Sequence, residues 1–491
     1  MCGIYLTNIP YAEKEITNKL NSISFRGPDY TGVKKIEPLT FGHLRLSILD
    51  LDPRSNQPMV YENLTIVFNG EIYNYKTIKK ELQDLDYKFN TESDTEVLLI
   101  GYKYWGKSIL DKINGMFAFS IYDADLNTLF SARDRLGVKP FYYYWEDGKF
   151  EICSQIKPML AGKKINDDSI SMFLDCMFIP SPYTIVESVF KLPPGNFMEI
   201  DLNNKKIKIE EYWNLKPVKT RDISYEDAKK ELHELLLDAV KIRLQSDVPI
   251  GSFLSGGIDS ALVSSIAAKV SPSKINTFSI GFDDPDYDES KIAEQYADIL
   301  NTTHKTTICN PSDILKLIPK LADVYDEPFA DSSALPSLLL NKVTKQYVTV
   351  ALSGDGGDES FMGYEHFDSL MQNKKIMDIP YVFRSLIAKS GVLKLFGMNS
   401  HRINNALNTK GRNDFIENIF SRKGFLLKEK KQDYMKHYQG YKTWSNNFLQ
   451  KAADLNIKLW LENDSNVKVD RASMAYSVEV RSPFLDYRIV E

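Results

Sequence analysis

Between residues 224 and 352 the chain alternates helical with strand-like segments, and that alternation restricts its fold more than any other feature. From Ser224 to Ser246 the apolar residues Ala228, Leu232, Leu235, Leu236, Ala239 and Ile242 recur at helical spacing, which buries one face. The pattern then predicts a strand over 248–254, a helix over 261–270, a strand over 277–281, helices over 289–300 and near 314–324, and a strand over 348–352. Segments alternating at these lengths imply a parallel sheet covered by helices on both faces, an α/β domain whose ligands sit at the carboxyl ends of the strands.

Two of these strands run into turns rich in glycine and acid. Leu254 precedes Ser255-Gly256-Gly257-Ile258-Asp259-Ser260, and Leu352 precedes Ser353-Gly354-Asp355-Gly356-Gly357-Asp358-Glu359. Glycine lets backbone N–H groups approach phosphate oxygens, and the helix that follows the first turn offers its positive end. The first turn is no Walker A loop, because the Lys-Ser/Thr pair is missing and Asp259 stands there instead; an acid beside polyphosphate points to a metal ion. A tight β–α turn with a Ser or Asp cap and a solvent-exposed acidic turn are the structural alternatives. The first string resembles the pyrophosphate loop of the ATP-pyrophosphatase superfamily, which cleaves ATP between its α- and β-phosphates and adenylates an acceptor. That resemblance implies ATP binding by Phe253, Leu254, Ser255, Gly256, Gly257, Asp259, Ser260, Ile280, Ser353 and Gly354, with Mg²⁺ held by Asp259 and Asp358.

At the other end, Cys2 directly follows the initiator methionine. Removal of Met1 makes that thiol terminal, with its own α-amine, of pKa near ~8, as a candidate general base. Five strings follow in order: Arg26-Gly27-Pro28-Asp29, Gly42-His43-Leu44-Arg45-Leu46-Ser47-Ile48, Asn69-Gly70-Glu71-Ile72-Tyr73-Asn74, Ser93-Asp94-Thr95-Glu96 and Ala132-Arg133-Asp134-Arg135-Leu136-Gly137. The series resembles the class II glutamine amidotransferases, N-terminal-nucleophile glutaminases with an α+β fold of stacked antiparallel sheets, over residues 2–190. The resemblance implies that Cys2 attacks the glutamine amide and that the Asn69 side chain and Gly70 N–H stabilise the oxyanion. Arg45 suits the α-carboxylate and Asp94 the α-ammonium, within a glutamine site of Arg45, Leu46, Ser47, Ile48, Leu49, Asn69, Gly70, Glu71 and Asp94. Structural alternatives remain: Asn69-Gly70 also reads as a type I′ hairpin turn, and Arg133-Asp134-Arg135 as a surface ion-pair ladder, partly structural in role. His43 reads as structural.

Composition bounds the rest. The 491 residues suffice for two large or three average domains, and 43% hydrophobic with 26% charged residues describes a packed soluble chain. Four scattered cysteines, Cys2, Cys153, Cys176 and Cys309, form neither a disulfide framework nor a zinc motif. No signal sequence or membrane-length apolar run is present, so a cytoplasmic enzyme without a membrane partner is expected. A net charge of −5 argues against nucleic acid, and the lysines between about 370 and 450 read as a solvated helical surface. Proline-rich turns at 179–182 and 192–195 place the domain boundary between about 190 and 215.

Val467-Lys468-Val469-Asp470-Arg471-Ala472-Ser473-Met474 and Glu479-Val480-Arg481-Ser482-Pro483-Phe484-Leu485-Asp486, with Asp286-Tyr287-Asp288-Glu289-Ser290 and Asp326-Glu327-Pro328, complete the pattern. Residues 215–491 thereby resemble the synthetase domain of the glutamine-hydrolysing asparagine synthetases. The family implies two domains that convert glutamine, ATP and an acceptor carboxylate, aspartate first, into the amide, glutamate, AMP and pyrophosphate. Ammonia would travel inside the protein to a β-aspartyl-AMP intermediate. Asp355, Lys468 and Arg471 are the synthetase's catalytic candidates, the two cations neutralising pyrophosphate. Some members carry Glu at the position of Asp355 and Lys at that of Arg471, and Ser360-Phe361-Met362-Gly363-Tyr364 replaces a more glycine-rich segment. An amidotransferase acting on a sugar acid of surface polysaccharide is the rival enzyme; a storage or regulatory protein is the non-enzymatic rival, disfavoured by the intact motifs. Members usually extend beyond the Pro-Phe-Leu-Asp motif, so a shortened chain or a truncated piece is expected at Glu491. A homodimer is one assembly left open.

Overall fold

The structure, a computed structural model, describes residues 2–217, 221–390, 401–421 and 434–491. Its first half is built on two antiparallel sheets of six strands. One runs in the order Val189–Lys191, Tyr142–Glu146, Lys149–Cys153, Gly3–Thr7, Leu39–Arg45, Tyr30–Ile36. The other runs Lys206–Glu211, Asn196–Asp201, Thr128–Arg133, Gly115–Asp123, Leu64–Ile72, Met59–Tyr61. Period-two alternation sorts the side chains. Ile4, Leu6 and Phe41 of the first sheet meet Val67, Ala118 and Leu129 of the second in a shared core. Their neighbours face outward under helices: Tyr5 and Leu44 beneath Ile16 and Leu20 of helix Glu13–Asn21, and Ile66, Phe68 and Phe119 beneath Ile78, Leu82 and Leu98 of helices Tyr75–Gln83 and Asp94–Trp105. Both faces of each sheet are therefore apolar, as the long hydrophobic strands require. The second sheet continues past residue 190 to Glu211, because the hairpin from Asn196 adds Met198 and Ile200 to the shared core.

The second half carries the expected parallel sheet, five strands in the order Thr303–Cys309, Asn276–Phe282, Ile250–Phe253, Val350–Leu352, Glu479–Arg481. From the central strand Ile250–Phe253 the chain winds to one side twice and then returns to pair Val350–Leu352 on the other, with Ser252 opposite Leu352. That reversal opens a crevice at the carboxyl ends of these two strands. Helix Tyr225–Arg243 is capped by Ser224, whose Oγ accepts the Asp227 N–H at 3.1 Å, and it packs Leu236 and Val240 on Val263 and Ile266 of helix Ile258–Val270. Beyond residue 365 a helical layer gathers around Phe367, Leu370, Phe448 and Leu455, and Met172, Cys176 and Phe178 of the first half join the same core. Within it the π-helical turn Asn456–Ser465 runs directly into helix Asn466–Met474. Part of the lysine-rich stretch, residues 391–400 and 422–433, lies outside the described residues. Among the described residues no helix is long and apolar enough to cross a membrane.

Candidate active sites

Cys2 lies buried at the start of strand Gly3–Thr7, and its backbone N–H donates to Asn69 Oδ1 at 2.9 Å. Asn69-Gly70 is not the hairpin turn that the dipeptide suggests in isolation. It lies inside strand Leu64–Ile72, opposite Ala118 and Phe117, because pairing along the whole strand outweighs the local turn preference. The strand fixes Asn69, whose Nδ2 is buried without a partner among the described residues. A buried donor left unpaired is costly and marks a place where an acceptor has to arrive. At Gly70 a Cβ would overlap the Met116 carbonyl oxygen, so only glycine fits. Burial pushes the Cys2 thiol above its ordinary value.

A cavity of about 30 Å³ opens beside Cys2, lined by Arg45, Leu46, Ile48, Leu49, Gly70, Glu71 and Asp94. Ser47 and Asn69 are absent from that lining; the Ser47 N–H turns to Asp29 Oδ2 at 2.7 Å, and Asn69 lies behind Cys2, whose N–H its Oδ1 accepts. Ser93 and Thr95 of the 93–96 string line the cavity as well, and so do Ser55 and Gln57, which lie outside every motif. Gln57 is tied in by the Phe68 N–H, which donates to Oε1 at 2.6 Å, and by its own Nε2, which donates to Thr95 Oγ1 at 3.2 Å. The Arg45 guanidinium donates to the carbonyls of Leu49 (3.3 Å), Asp50 (2.5 Å) and Asp52 (3.1 Å) and to Asn56 Oδ1 (2.8 Å). It braces the 49–56 loop over the cavity. Asp94 opens its helix after the Ser93 cap, accepts the Ile72 N–H at 2.9 Å, and is raised by burial to about 6.

Glu71 has a partner from the other half of the chain. Arg481 Nη2 lies 3.2 Å from its carboxylate while Arg481 Nε contacts Glu479 at 2.6 Å, all three side chains being buried. The Arg481 carbonyl accepts the Ser353 N–H at 3.0 Å, and the hydroxyls of Ser353 and Ser482 meet at 2.8 Å. Strand Glu479–Arg481 thus holds Glu71 of the Cys2 cavity's lining with a side chain and the second glycine-acid turn with its backbone.

The remaining charged motif of this half is structural and buried. Arg133-Asp134-Arg135 forms no surface ladder: Asp134 accepts the N–H groups of Phe117, Leu136, Val138 and Lys139, and Arg133 holds the carbonyls of Gly137, Lys139 and Leu192 and faces Glu462 at 3.1 Å. His43 is buried with Nε2 against the Phe68 carbonyl at 3.2 Å, and burial lowers it to about 3, a neutral core histidine.

At the crevice of the parallel sheet lies a cavity of about 1010 Å³. Residues 253–257, 259 and 260 line it with Ile280, Ser353 and Gly354, and Asp355, Asp358 and Lys468 join them. The first turn is held by Ser260 Oγ, which accepts the Ser255 N–H at 3.0 Å, and by Glu289, which accepts the Gly256 N–H at 3.1 Å. The second packs against it so closely that a Cβ at Gly357 would overlap the Asp259 carboxylate. Partial burial, then Asp358 and Asp355, raise Asp259 to about 6; burial and Asp355 raise Asp358. Among the described residues no three His, Cys, Asp or Glu side chains converge to cage a metal. Mg²⁺ does not need such a cage, since one or two carboxylates plus substrate phosphates commonly hold it. The mutually repelling pair Asp259 and Asp358 fits that role.

Lys468 is the one cation among the described residues lining this cavity, and Arg471 is not there. The Arg471 guanidinium instead donates to Tyr142 Oη at 2.9 Å and to the Ser154 carbonyl at 3.2 Å, both in the first half. Beside it Asp470 receives both prongs of Arg26 at 2.8 and 2.9 Å. One helical turn thus sends Lys468 to the cavity and Arg471 into the contact between the halves.

The family model for asparagine synthase matches residues 231–491, and that for the glutamine amidotransferase domain matches residues 1–213. The chain belongs to the asparagine synthase family. Asparagine synthetase [glutamine-hydrolyzing] 1 of Bacillus subtilis (strain 168) is 34% identical over 494 residues, covering 96% of this chain and 77% of its own length. A putative asparagine synthetase [glutamine-hydrolyzing] 2 of Methanocaldococcus jannaschii is 41% identical over 386 residues, 72% of this chain and 73% of its own. Asparagine synthetase [glutamine-hydrolyzing] 3 of Bacillus subtilis is 30% identical over 521 residues, covering all of this chain and 80% of its own length. In this asparagine synthase chain, Gln57 lies outside every quoted string, while Glu289 belongs to the 286–290 string without a role assigned to it from sequence.

Proposed function

We propose that the chain makes asparagine from aspartate, glutamine, ATP and water, releasing glutamate, AMP and pyrophosphate. The observation that carries this reading is the convergence of the two glycine-acid turns on one cavity at the switch point of the parallel sheet. Similarity to the asparagine synthetases supports aspartate over a sugar acid as acceptor. Glutamine, ATP and aspartate are metabolites of the cytoplasm, which supports that location.

In the amidotransferase half, loss of Met1 turns the Cys2 N–H that now faces Asn69 into an α-amine able to take the thiol proton. Thiolate attack on the side-chain amide of glutamine places the developing oxyanion against the unpaired Asn69 Nδ2 and the Gly70 N–H. Asp94 receives the α-ammonium, and Arg45 receives the α-carboxylate by giving up part of its hold on the 49–56 loop. Ammonia leaves and water releases glutamate from the thioester.

In the synthetase half, the aspartate β-carboxylate attacks the α-phosphorus of ATP, and the bond to the β-phosphate breaks. The glycine turns bring backbone N–H groups to the phosphates, and the Lys468 ammonium offsets the charge gathering on pyrophosphate. Mg²⁺ held by Asp259 and Asp358 would screen the triphosphate and polarise its oxygens. Ammonia then displaces AMP from the acyl-adenylate. The path from Cys2 is supported by strand Glu479–Arg481, which borders both centres. Incubation with aspartate, ATP, Mg²⁺ and amide-¹⁵N glutamine should yield ¹⁵N-asparagine, AMP and pyrophosphate by mass spectrometry. ADP with phosphate would mean an acyl-phosphate route and sink the adenylating assignment.

A further inference from the structure

Lys468 reaches the large cavity from helix Asn466–Met474, and its ammonium lies 3.0 Å from Asp331 Oδ2. One turn earlier on the same rod, in the π-helical turn Asn456–Ser465, stands a second carboxyl, Asp464. Asp464 is buried, and neither of its oxygens meets a conventional donor among the described residues. Its carboxyl is instead within hydrogen-bonding reach of the Asp331 carboxyl. Two carboxyl groups can share a hydrogen bond only when one of them carries a proton. Asp331 faces the ammonium and also accepts the N–H and the hydroxyl of Ser333, each at 2.7 Å, so the negative charge belongs on Asp331 and the proton on Asp464.

We propose that Asp464 is a positioning residue for adenylation, its protonated carboxyl donating to Asp331 so that Asp331 holds the Lys468 ammonium toward the phosphates. This rests on the adenylating assignment of the cavity. The triad as drawn has no net charge, so it can be buried without a further counter-ion. Burial and the neighbouring Asp331 charge push Asp464 up to about 8, while Lys468, with hydrogen bonds from Asp464 and Ser333, draws Asp331 to about 2 against the cost of burial. The groups facing Asp464 come from every element around it. They are Asp331 from the loop before helix Ala334–Thr344, Glu359 from helix Gly357–Phe361, Tyr325 from helix Leu321–Tyr325, and Lys468 from its own rod, which Asp355 also faces. Above pH 8 a second negative charge beside Asp331 pulls the ammonium back from the cavity. Pyrophosphate then loses its cation.

The test is aspartate-dependent ATP–pyrophosphate exchange by the full chain without glutamine or ammonia, followed from about pH 6.5 to about pH 9.5. Wild-type exchange should fall roughly tenfold per pH unit once pH exceeds about 8. Asp464→Asn, whose amide donates to Asp331 but cannot titrate, should lack that fall and stay within about threefold of wild type at neutral pH. Asp464→Ala should lose about tenfold in kcat at neutral pH with little change in KM for ATP. Glutamine hydrolysis by both variants should match wild type, which shows the fold intact. An alkaline fall that persists in Asp464→Asn, or an Asn variant as impaired as the Ala variant, overturns the proposal. Absence of exchange in the wild type at every pH removes the adenylating assignment itself, and the triad with it.

Discussion

Cys2 faces a cavity of about 30 Å³ whose groups are fixed by paired strands, whereas the synthetase cavity measures about 1010 Å³ and is lined by strand-end turns. In the first, charge is already settled: Glu71 faces Arg481, Asp94 accepts the Ile72 N–H, and Arg45 is held by carbonyls. In the second, partial burial together with the neighbouring Asp358 and Asp355 raises Asp259 to about 6. A sheet interior can hold a nucleophile and an oxyanion donor in register but leaves little room. Turns at the ends of parallel strands give room for a nucleotide, and their carboxylates find partners only when the ligands arrive. The contrast explains why one chain needs both architectures, one for a small neutral amide and one for a nucleotide.

The largest effect expected from this division is that of Cys2→Ala. Glutamine-dependent asparagine formation should fall at least ~10³-fold while ammonium-supported synthesis persists, because only the nucleophile is lost. Parallel loss of both activities would break the separation into two centres. Intact-mass analysis adds a sharper point: active enzyme should lack Met1, and full glutaminase activity on protein that retains it contradicts the α-amine as base.

Asn69→Ala probes how far the first centre is preorganised. Removing the fixed donor should lower glutaminase kcat by about 10²–10³-fold with a small change in KM, since the amide meets the oxyanion and not the ground-state carbonyl. A change confined to KM would assign Asn69 to substrate binding instead. In the second centre, Asp259→Asn should cut pyrophosphate release by roughly 10²-fold and raise the Mg²⁺ requirement, while glutamine hydrolysis remains measurable. If the loss is the same at all Mg²⁺ concentrations, Asp259 is not a metal carboxylate.

The two centres were unequally legible in the chain. Ser255 to Ser260 and Ser353 to Glu359 announce themselves because a strand end, a glycine turn and an acid are local features, and the structure brings both to one crevice. Asn69 misled in one respect, since the Asn-Gly pair looks like a turn until strand Gly115–Asp123 is laid beside it. Strand Thr303–Cys309 carries no strand signature in the sequence because its threonines, histidine and lysine, on an edge, show no clean apolar alternation. The three-residue spacing of Lys468 and Arg471 predicts a shared helix face for both cations, yet the Arg471 guanidinium is drawn to Tyr142 and the Ser154 carbonyl of the first half, partners that only the fold brings near. Asp331 and Asp464 lie 133 positions apart and meet only through the fold. Long-range pairs of that kind leave no periodic trace.

The smallest effect expected is a difference in pH dependence that Asp94 alone should impose. Burial raises its carboxyl from the usual carboxylate range to about 6, so the proton is bound below that pH and released above it. If the carboxylate receives the α-ammonium of glutamine, kcat/KM for glutamine should be level above pH 6 and fall about tenfold per unit below it, since this ratio reports the free enzyme. The α-amino and α-carboxyl groups of glutamine keep their charges through that window, so the limb belongs to the protein. Asp94→Asn should lower kcat/KM at neutral pH and erase the limb. ATP–pyrophosphate exchange measured on the same preparations is the control from the other centre, where Asp94 makes no contact with the nucleotide cavity. Erasure of the limb in glutamine hydrolysis with an unaltered exchange profile assigns the titration to the Cys2 cavity; a limb that survives in Asp94→Asn means another acid governs glutamine capture, with buried Glu71 the next to test.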